Sequence, residues 1–409
     1  MRGPGRAWNL RLGGLVALGV ALRVLYLVTV GRDVTGIGDW FFYHWQANLI
    51  ADGRGFLEPY RLRFDGLALP SAGHPPLYPL ALSVVSWLGG TGVFSHRLLG
   101  VPLGALTIAL VGLLGRRVGG DRVGLWAAGL CAIYPTMIAV DGALMSETLY
   151  GPLIAASLLA AVALLERPRR RVALALGVGI GLAALTRSEA LLLVPLLGVP
   201  VAVRGGRGWP VRVLAVAAGC ALVVLPWTAR NLDAFGRLVP ISNNDSTVIA
   251  GANCPASYAG IGLGGWDVRC ISDRREDNEA RQAAIWRREG LEYAGDHLSR
   301  LPVVLAVRLL RVWDLYQPRR QVMFAEGRSI RVTQAGLLAY FGLLLLGGLG
   351  MVALRRRGIP LVVLLAPAAA VCVAALVGYG VPRLRHSFEI PLLVLAAAGV
   401  VRLLEARRA

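Results

Sequence analysis

The chain has 409 residues, 56% of them hydrophobic and 16% charged, with a mean hydropathy of +0.60. That charged fraction is well short of the roughly 25% of a soluble domain, so a single water-soluble core is excluded and lipid is the expected solvent. The net charge of +19 comes from arginine alone, since there is no lysine, and the arginines stand at the ends of apolar runs, where the positive-inside bias puts them, which argues against nucleic acid as a partner.

The apolar runs are long enough to cross roughly 30 Å of hydrocarbon at about 1.5 Å per residue. The first, residues 10–30, follows Arg2, Arg6 and Arg11 and resembles a signal peptide. No small-residue cleavage site follows it, so it is expected to be retained as the first span with its N-terminus in the cytoplasm. Cytoplasmic arginine clusters at Arg116/Arg117/Arg122, Arg167 with Arg169 to Arg171, Arg204/Arg207, Arg355 to Arg357 and Arg402/Arg407/Arg408 fix the remaining crossings. The spans are then 10–30, 96–115, 123–140, 149–165, 172–185, 190–203, 211–227, 334–354, 359–379 and 387–404. The prediction is an all-α polytopic membrane protein with about ten transmembrane helices, multi-pass in the cell membrane, both termini cytoplasmic.

Between these spans lie the segments that carry polar chemistry. Residues 31–95 and 231–333 are left on the outer face, and long loops are usually functional. Residues 77–88 are apolar but too short to span and predict a helix on the outer membrane surface. The segments 273–298 and 301–316 have amphipathic helical spacing and are also expected to be interfacial. Residues 172–203 form a short pair broken by Pro195 and Pro200, and broken helices at membrane depth usually border a cavity. Three parts follow: a transmembrane module 1–230 that includes the outer loop 31–95, an extracytoplasmic loop 231–333 with amphipathic helices, and C-terminal transmembrane helices 334–409.

Cys131, Cys220 and Cys372 fall in spans and are expected to be small buried apolar groups. Cys254 and Cys270 share the second outer loop, where the compartment permits a disulfide worth on the order of 3 kcal/mol. Two free thiols are the alternative; a metal site has too few ligands.

Candidate site residues cluster at the outer ends of spans. Asp39 opens the amphipathic segment Gly38 to Gly53 and serves either as an N-cap or as a general base at the membrane edge. His74 stands in Gly73-His74-Pro75-Pro76-Leu77-Tyr78, where the prolines impose an extended approach. Glu147, in Ser146-Glu147-Thr148, is either a cap or a functional acid at the lip of a span. Arg187, Arg230, Arg383 and Arg385 break the positive-inside pattern. They either snorkel to headgroups and pair with Glu189 and Glu389, or hold a lipid-linked phosphate through bidentate contacts. Arg23, inside the first run, would cost roughly 2.5 to 3.5 kcal/mol facing lipid and is expected to face the bundle.

Gly38-Asp39 with Tyr43 and Ala47, His74-Pro75-Pro76-Leu77-Tyr78, Ser146-Glu147-Thr148-Leu149, Leu185-Thr186-Arg187 and Pro226-Trp227-Thr228-Ala229-Arg230-Asn231 occur in an order that resembles a known family. They are similar to the GT-C membrane glycosyltransferases of the protein O-mannosyltransferase and aminoarabinose transferase type (glycosyltransferase family 39). The resemblance covers residues 10–255 and extends loosely through Tyr379-Gly380-Val381-Pro382-Arg383. It implies inverting sugar transfer from a polyprenyl-phosphate donor to an acceptor hydroxyl, with the active site facing the periplasm or cell exterior. The family's catalytic acid maps onto Asp39. Many members carry a second acid directly after it, whereas this chain has Trp40, so the paired-carboxylate version is missing. Tyr43, His74, Glu147, Arg187, Arg230, Arg383 and Arg385 are the expected substrate-binding residues. The leaving group is a lipid phosphomonoester that cationic side chains can stabilise, so no metal is expected to be obligatory, though a divalent ion is not excluded. The acceptor is a lipid, a glycan or a protein. A transporter or flippase of lipid-linked sugars is the principal alternative, weakened by the lack of an internal repeat; a noncatalytic assembly subunit is the third.

Overall fold

The computed structural model describes residues 5–31, 38–272, 276–323 and 326–407. Residues 32–37 of the first outer loop, 273–275 at the start of the predicted 273–298 helix, and Arg2 and Arg408 of the arginine pattern lie outside the described residues.

The chain is a bundle of helices in which the apolar runs become α1 (Arg6–Thr29), α2 (Trp40–Ala51), α3 (Leu77–Trp87), α4 (Val93–Gly119), α5 (Asp121–Ile133), α6 (Pro135–Asp141), α7 (Glu147–Glu166) and α8 (Arg170–Ala184). They continue as α9 (Val199–Arg204), α10 (Trp209–Phe235), α11 (Asn244–Ala252), α12 (Glu279–Asp296), α13 (Leu301–Val312), α14 (Ile330–Arg356), α15 (Val362–Val377) and α16 (His386–Ala406). Among the described residues six helical stretches are long and apolar enough to cross a membrane. They become seven if α5 and α6, bent by 58° at Pro135, count as one span. The protein is therefore a multi-pass membrane protein. Three of the ten expected spans take a shorter form: α8 has 15 residues, α15 has 16, and 188–204 is broken. That stretch passes through a 3₁₀ turn and a wide π turn before α9, because Pro195 and Pro200 each remove a backbone donor.

Close approach of backbones packs the bundle, since apolar burial alone does not drive helices together in lipid. Where α14 crosses α16, a Cβ on Gly350 would lie 1.8 Å from the Leu395 carbonyl oxygen, and one on Gly399 would lie 2.1 Å from that of Leu346. α16 is the hub, with an unbroken buried run from His386 to Gly399. Arg23 faces the bundle as expected. It is 1% exposed, donates to Asp141 Oδ2 at 2.6 Å and to the Gly19 carbonyl at 3.1 Å, so its charge is met inside the protein.

The outer segments fold onto one end of this bundle. α3 buries Tyr78 and Leu82 against α2 and leaves Trp87 and Leu88 exposed. α12 begins at Glu279, where the Asn278 side chain accepts from the backbone of Ala280 and Arg281. Cys254 and Cys270 form a disulfide with a Cα–Cα distance of 6.1 Å. Two buried arginines of α13 hold the loop it closes: Arg308 donates to the Ala252 carbonyl at 2.6 Å, and Arg311 donates to the carbonyls of Leu263 and Ile261 at 2.6 and 2.7 Å.

Candidate active site

Where the outer segments meet the bundle they enclose a cavity of about 860 Å³, lined by Asp39, Tyr43, His74, Arg187, Glu326 and Arg383 and by further residues of the second outer loop. This volume sits near the upper end of the roughly 300–1,000 Å³ range of ligand pockets.

Asp39 is the last residue before α2, yet its side chain makes no capping hydrogen bond. Its carboxylate instead meets Arg383 Nη2 at 2.8 Å and lies 3.9 Å from His74 Nε2. The capping alternative is thereby removed. Burial alone would raise the Asp39 carboxyl, but the Arg383 guanidinium and His74 outweigh it and hold the group below its ordinary value.

His74 is positioned from both sides. Pro75 and Pro76 lead into α3, whose Leu77 N–H donates to the Leu185 carbonyl at 2.9 Å, tying this segment to the α8 exit that bears Arg187. Behind it, Glu279 joins the two outer loops: it accepts from Ser71 Oγ at 2.6 Å, Ala72 N at 3.0 Å and Asn243 Nδ2 at 2.8 Å. The His74 ring packs on Phe42 at 4.5 Å, and Nδ1 lies 3.4 Å from the Tyr43 hydroxyl. Burial keeps the imidazole below its ordinary pKa, with Asp39 opposing, so it is neutral near pH 7. Burial also pushes the Tyr43 hydroxyl up, so Tyr43 holds its proton, and the hydroxyl either donates to Nδ1 or accepts from it according to the His74 tautomer. The tautomer with the proton on Nε2 turns that proton to the side of Asp39.

Glu147 opens α7 and is 2% exposed. It receives Arg187 Nη1 at 2.7 Å and a bidentate grip from Arg383. Arg187 reaches on to Glu189 at 2.6 Å, and Arg383 to Glu326 at 3.3 Å. Two guanidiniums are thus shared among four carboxylates. Glu189 and Glu326 are partly exposed, with side chains at 22% and 28%, whereas the Glu147 side chain is at 3%.

Of the eight site residues expected from the sequence apart from the cysteines, six meet at this cavity or its wall: Asp39, Tyr43, His74, Glu147, Arg187 and Arg383. Two, Arg230 and Arg385, do not line it. Arg230 donates to the carbonyls of Ser71 and Phe56 at 2.9 and 3.0 Å and lies over the Trp227 ring at 4.9 Å. It fastens the first outer loop to α10, and backbone carbonyls already take its donors. Arg385 is buried between Asp314 and Glu389, the latter at 2.8 Å, with its guanidinium 3.7 Å from the Tyr340 ring centre. The two acids neutralise it away from the cavity.

The structure adds residues that sequence reasoning passed over. Glu326 sits in a loop without any pattern to mark it. Arg237, just beyond α10, lines the cavity with no hydrogen bond or ion pair among the described residues. Its place directly after the helix-ending Gly236 was the available signal. Among the described residues no group of three or more His, Cys, Asp or Glu side chains is placed to hold a metal ion.

Residues 73–229 match the family described as dolichyl-phosphate-mannose-protein mannosyltransferase. No curated protein matches in sequence. Among solved structures, the apo oligosaccharyltransferase of Archaeoglobus fulgidus aligns with a TM-score of 0.60 at 17% identity, over 98% of this chain and 51% of that one. The chain has the GT-C fold. Two further states of the Archaeoglobus fulgidus enzyme agree with that fold. One, AglB in complex with an inhibitory peptide and a dolichol-phosphate, gives a TM-score of 0.56 at 16% identity over 98% and 51% of the two chains. The other, tethered to an acceptor peptide, gives 0.57 at 18% identity over 98% and 50%. The chain spans about half the length of the solved structures it matches. Within the GT-C fold, the family match covers His74, Glu147 and Arg187, while Asp39 and Arg383 lie outside it and join the site through the tertiary structure.

Proposed function

We propose that this chain is a membrane glycosyltransferase that moves a sugar from a polyprenyl-phosphate donor to an acceptor hydroxyl at the extracytoplasmic face, with inversion and with Asp39 as general base. The observation that carries the reading is the Asp39 carboxylate: it is unused as a cap, it is paired with Arg383 at 2.8 Å, and it lines a cavity together with Arg187 and Arg383. The dolichol-phosphate bound by AglB supports the donor class. All three parts of the chain, 1–230, 231–333 and 334–409, line the cavity and so act as one catalytic unit.

In the proposed step the acceptor hydroxyl lies between Asp39 and His74, and its proton passes to an Asp39 oxygen as its own oxygen bonds the anomeric carbon. The bond from that carbon to the phosphate oxygen breaks, and polyprenyl phosphate leaves with the electron pair. Arg187 and Arg383 receive the phosphate by exchanging their partly exposed partners Glu189 and Glu326 for it, while buried Glu147 keeps both guanidiniums aimed. No obligatory metal is proposed, because Arg187 and Arg383 supply the cationic contacts to the leaving phosphate; loss of activity on chelation, restored by a divalent ion, would contradict it.

The test compares wild type with Asp39→Asn on a panel of radiolabelled polyprenyl-phosphate sugars and membrane extract. A general base contributes about 10²–10⁴-fold, so transfer is expected to fall at least about a hundredfold while donor binding persists. Labelled lipid crossing a reconstituted bilayer without donor consumption would replace the reading with transport.

A further inference from the structure

Much of the remaining cavity lining belongs to the second outer loop, and apart from Glu326 none of that loop's residues enters the chemistry above. Trp266 is the large exposed aromatic there, 40% exposed and lining the cavity. It is a built feature. Its indole N–H donates to the Thr247 carbonyl at 2.8 Å, and the pyrrole side lies so close to Gly251 that a Cβ there would meet Nε1 at 2.2 Å. The disulfide between Cys254 and Cys270 closes the loop that carries it. Tyr379 lies beside it, ring centres 6.3 Å apart, because the Gly380 N–H donates to the Gly264 carbonyl at 2.9 Å. Around the rings stand Asn244, whose amide nitrogen has no hydrogen bond among the described residues, and Asp245, gripped by Arg287 at 2.9 and 3.0 Å.

We infer that Trp266 and Tyr379 form a stacking platform for a saccharide, so that the acceptor of this enzyme is a carbohydrate and not a peptide. The inference rests on the transferase reading and names its acceptor class. The negative face of an aromatic ring attracts the polarised C–H bonds of a sugar ring, and the neighbouring amide and ion pair offer both donors and acceptors to hydroxyls. A peptide strand would be held through free backbone groups, but here the indole occupies the Thr247 carbonyl, and the Asp267 N–H occupies that of Gly251 at 3.1 Å. The donor phosphate belongs with Arg187 and Arg383; Tyr379 stands near both of these charges, and Trp266 pairs with neither, which leaves the Trp266 end of the platform for the acceptor.

The experiment titrates the full chain in detergent with mannobiose, xylobiose and a serine/threonine-rich peptide, read by saturation-transfer NMR. At least one disaccharide is expected to bind wild type in the absence of any donor. Trp266→Ala and Gly251→Ala are each expected to weaken it about tenfold, equivalent to about 1.4 kcal/mol, and Trp266→Phe to weaken it less. Tyr379→Leu, which leaves the Trp266 loop untouched, provides a second loss should Trp266→Ala fail to fold. Binding without donor does not depend on turnover, so this result and the test of the base stand apart. Disaccharide binding unchanged by Trp266→Ala, binding of the peptide alone, or a loss confined to the polyprenyl-phosphate sugar would each overturn the assignment.

Discussion

Replacing Arg383 with lysine separates the charge of this residue from its shape. The guanidinium uses Nε for Glu147, Nη2 for Asp39 and Nη1 for Glu326. A single ammonium cannot span three carboxylates, and it will stay with Glu147, because that acid is the buried one and the most costly to leave unpaired. Two charge-assisted contacts are lost, each worth roughly 1.5 to 3 kcal/mol in full burial. Asp39 and Glu326 are 30% and 28% exposed at the side chain, so water replaces much of the loss, and the expected destabilisation is only about 1 to 2 kcal/mol. The functional loss is larger. Asp39 is no longer held in place, and a misplacement of about 1 Å costs about a hundredfold in rate. Arg383 also lowers both Asp39 and His74, so its withdrawal raises both and moves the acid limb of the pH–rate profile upward. Sugar transfer across pH and thermal unfolding of the same preparation measure the two effects. Activity within threefold of wild type with an unmoved acid limb would refute the proposed role of Arg383.

Arg385→Leu, by contrast, is expected to abolish stable expression without any specific defect in donor binding, because Asp314 and Glu389 would be left buried without their cation at about 3 to 5 kcal/mol; thermal unfolding of whatever protein is recovered checks this. The double change Cys254→Ser and Cys270→Ser is expected to cost on the order of 3 kcal/mol, seen as a lower melting temperature and as earlier proteolysis within 254–270. For His74 the folded state holds the imidazole below its ordinary value of 6.5. Above 6.5 neither state binds the proton; below it the unfolded chain does so first, and His74 makes the fold less stable as pH falls toward its folded value. Replacing His74 with phenylalanine should therefore flatten the dependence of melting temperature on pH between 6.5 and more acidic conditions, and an unchanged slope would count against the shift.

Much of the fold was legible because lipid imposes a length on apolar runs and arginine marks their ends. Each run found in the sequence corresponds to a helical segment, but boundaries moved where no breaker stood. α10 continues two turns past Trp227 until Gly236, which adopts φ +64, and the 188–204 stretch departs from regular helix where its prolines fall. The site was legible to the extent that its members lie at the outer ends of spans. What was not legible is which partner each charge finds. Arg187 and Arg230 look alike in sequence; only the fold shows that one meets Glu147 and the other the carbonyls of Phe56 and Ser71. Trp266 sits in a glycine-rich stretch with no motif, and its role depends on Gly251 and Tyr379, far apart in the chain.

The charge balance of the cavity wall also constrains how a phosphate can enter. With two arginines against four carboxylates and a neutral imidazole, the resting site carries a surplus of negative charge and repels an anion arriving from solution. A phosphate carried on a lipid approaches within the membrane instead, and its apolar chain offsets that repulsion through contacts with bilayer and protein. Once it arrives, the exchange that admits it involves Glu189 and Glu326, the two acids that water can already reach. Arg237, the cavity-lining cation without a partner among the described residues, adds charge that no carboxylate has to release. A soluble phosphate has no such compensation. If the wall holds a polyprenyl phosphate as proposed, it should therefore discriminate against inorganic phosphate, with the arginines kept paired until the lipid is in place.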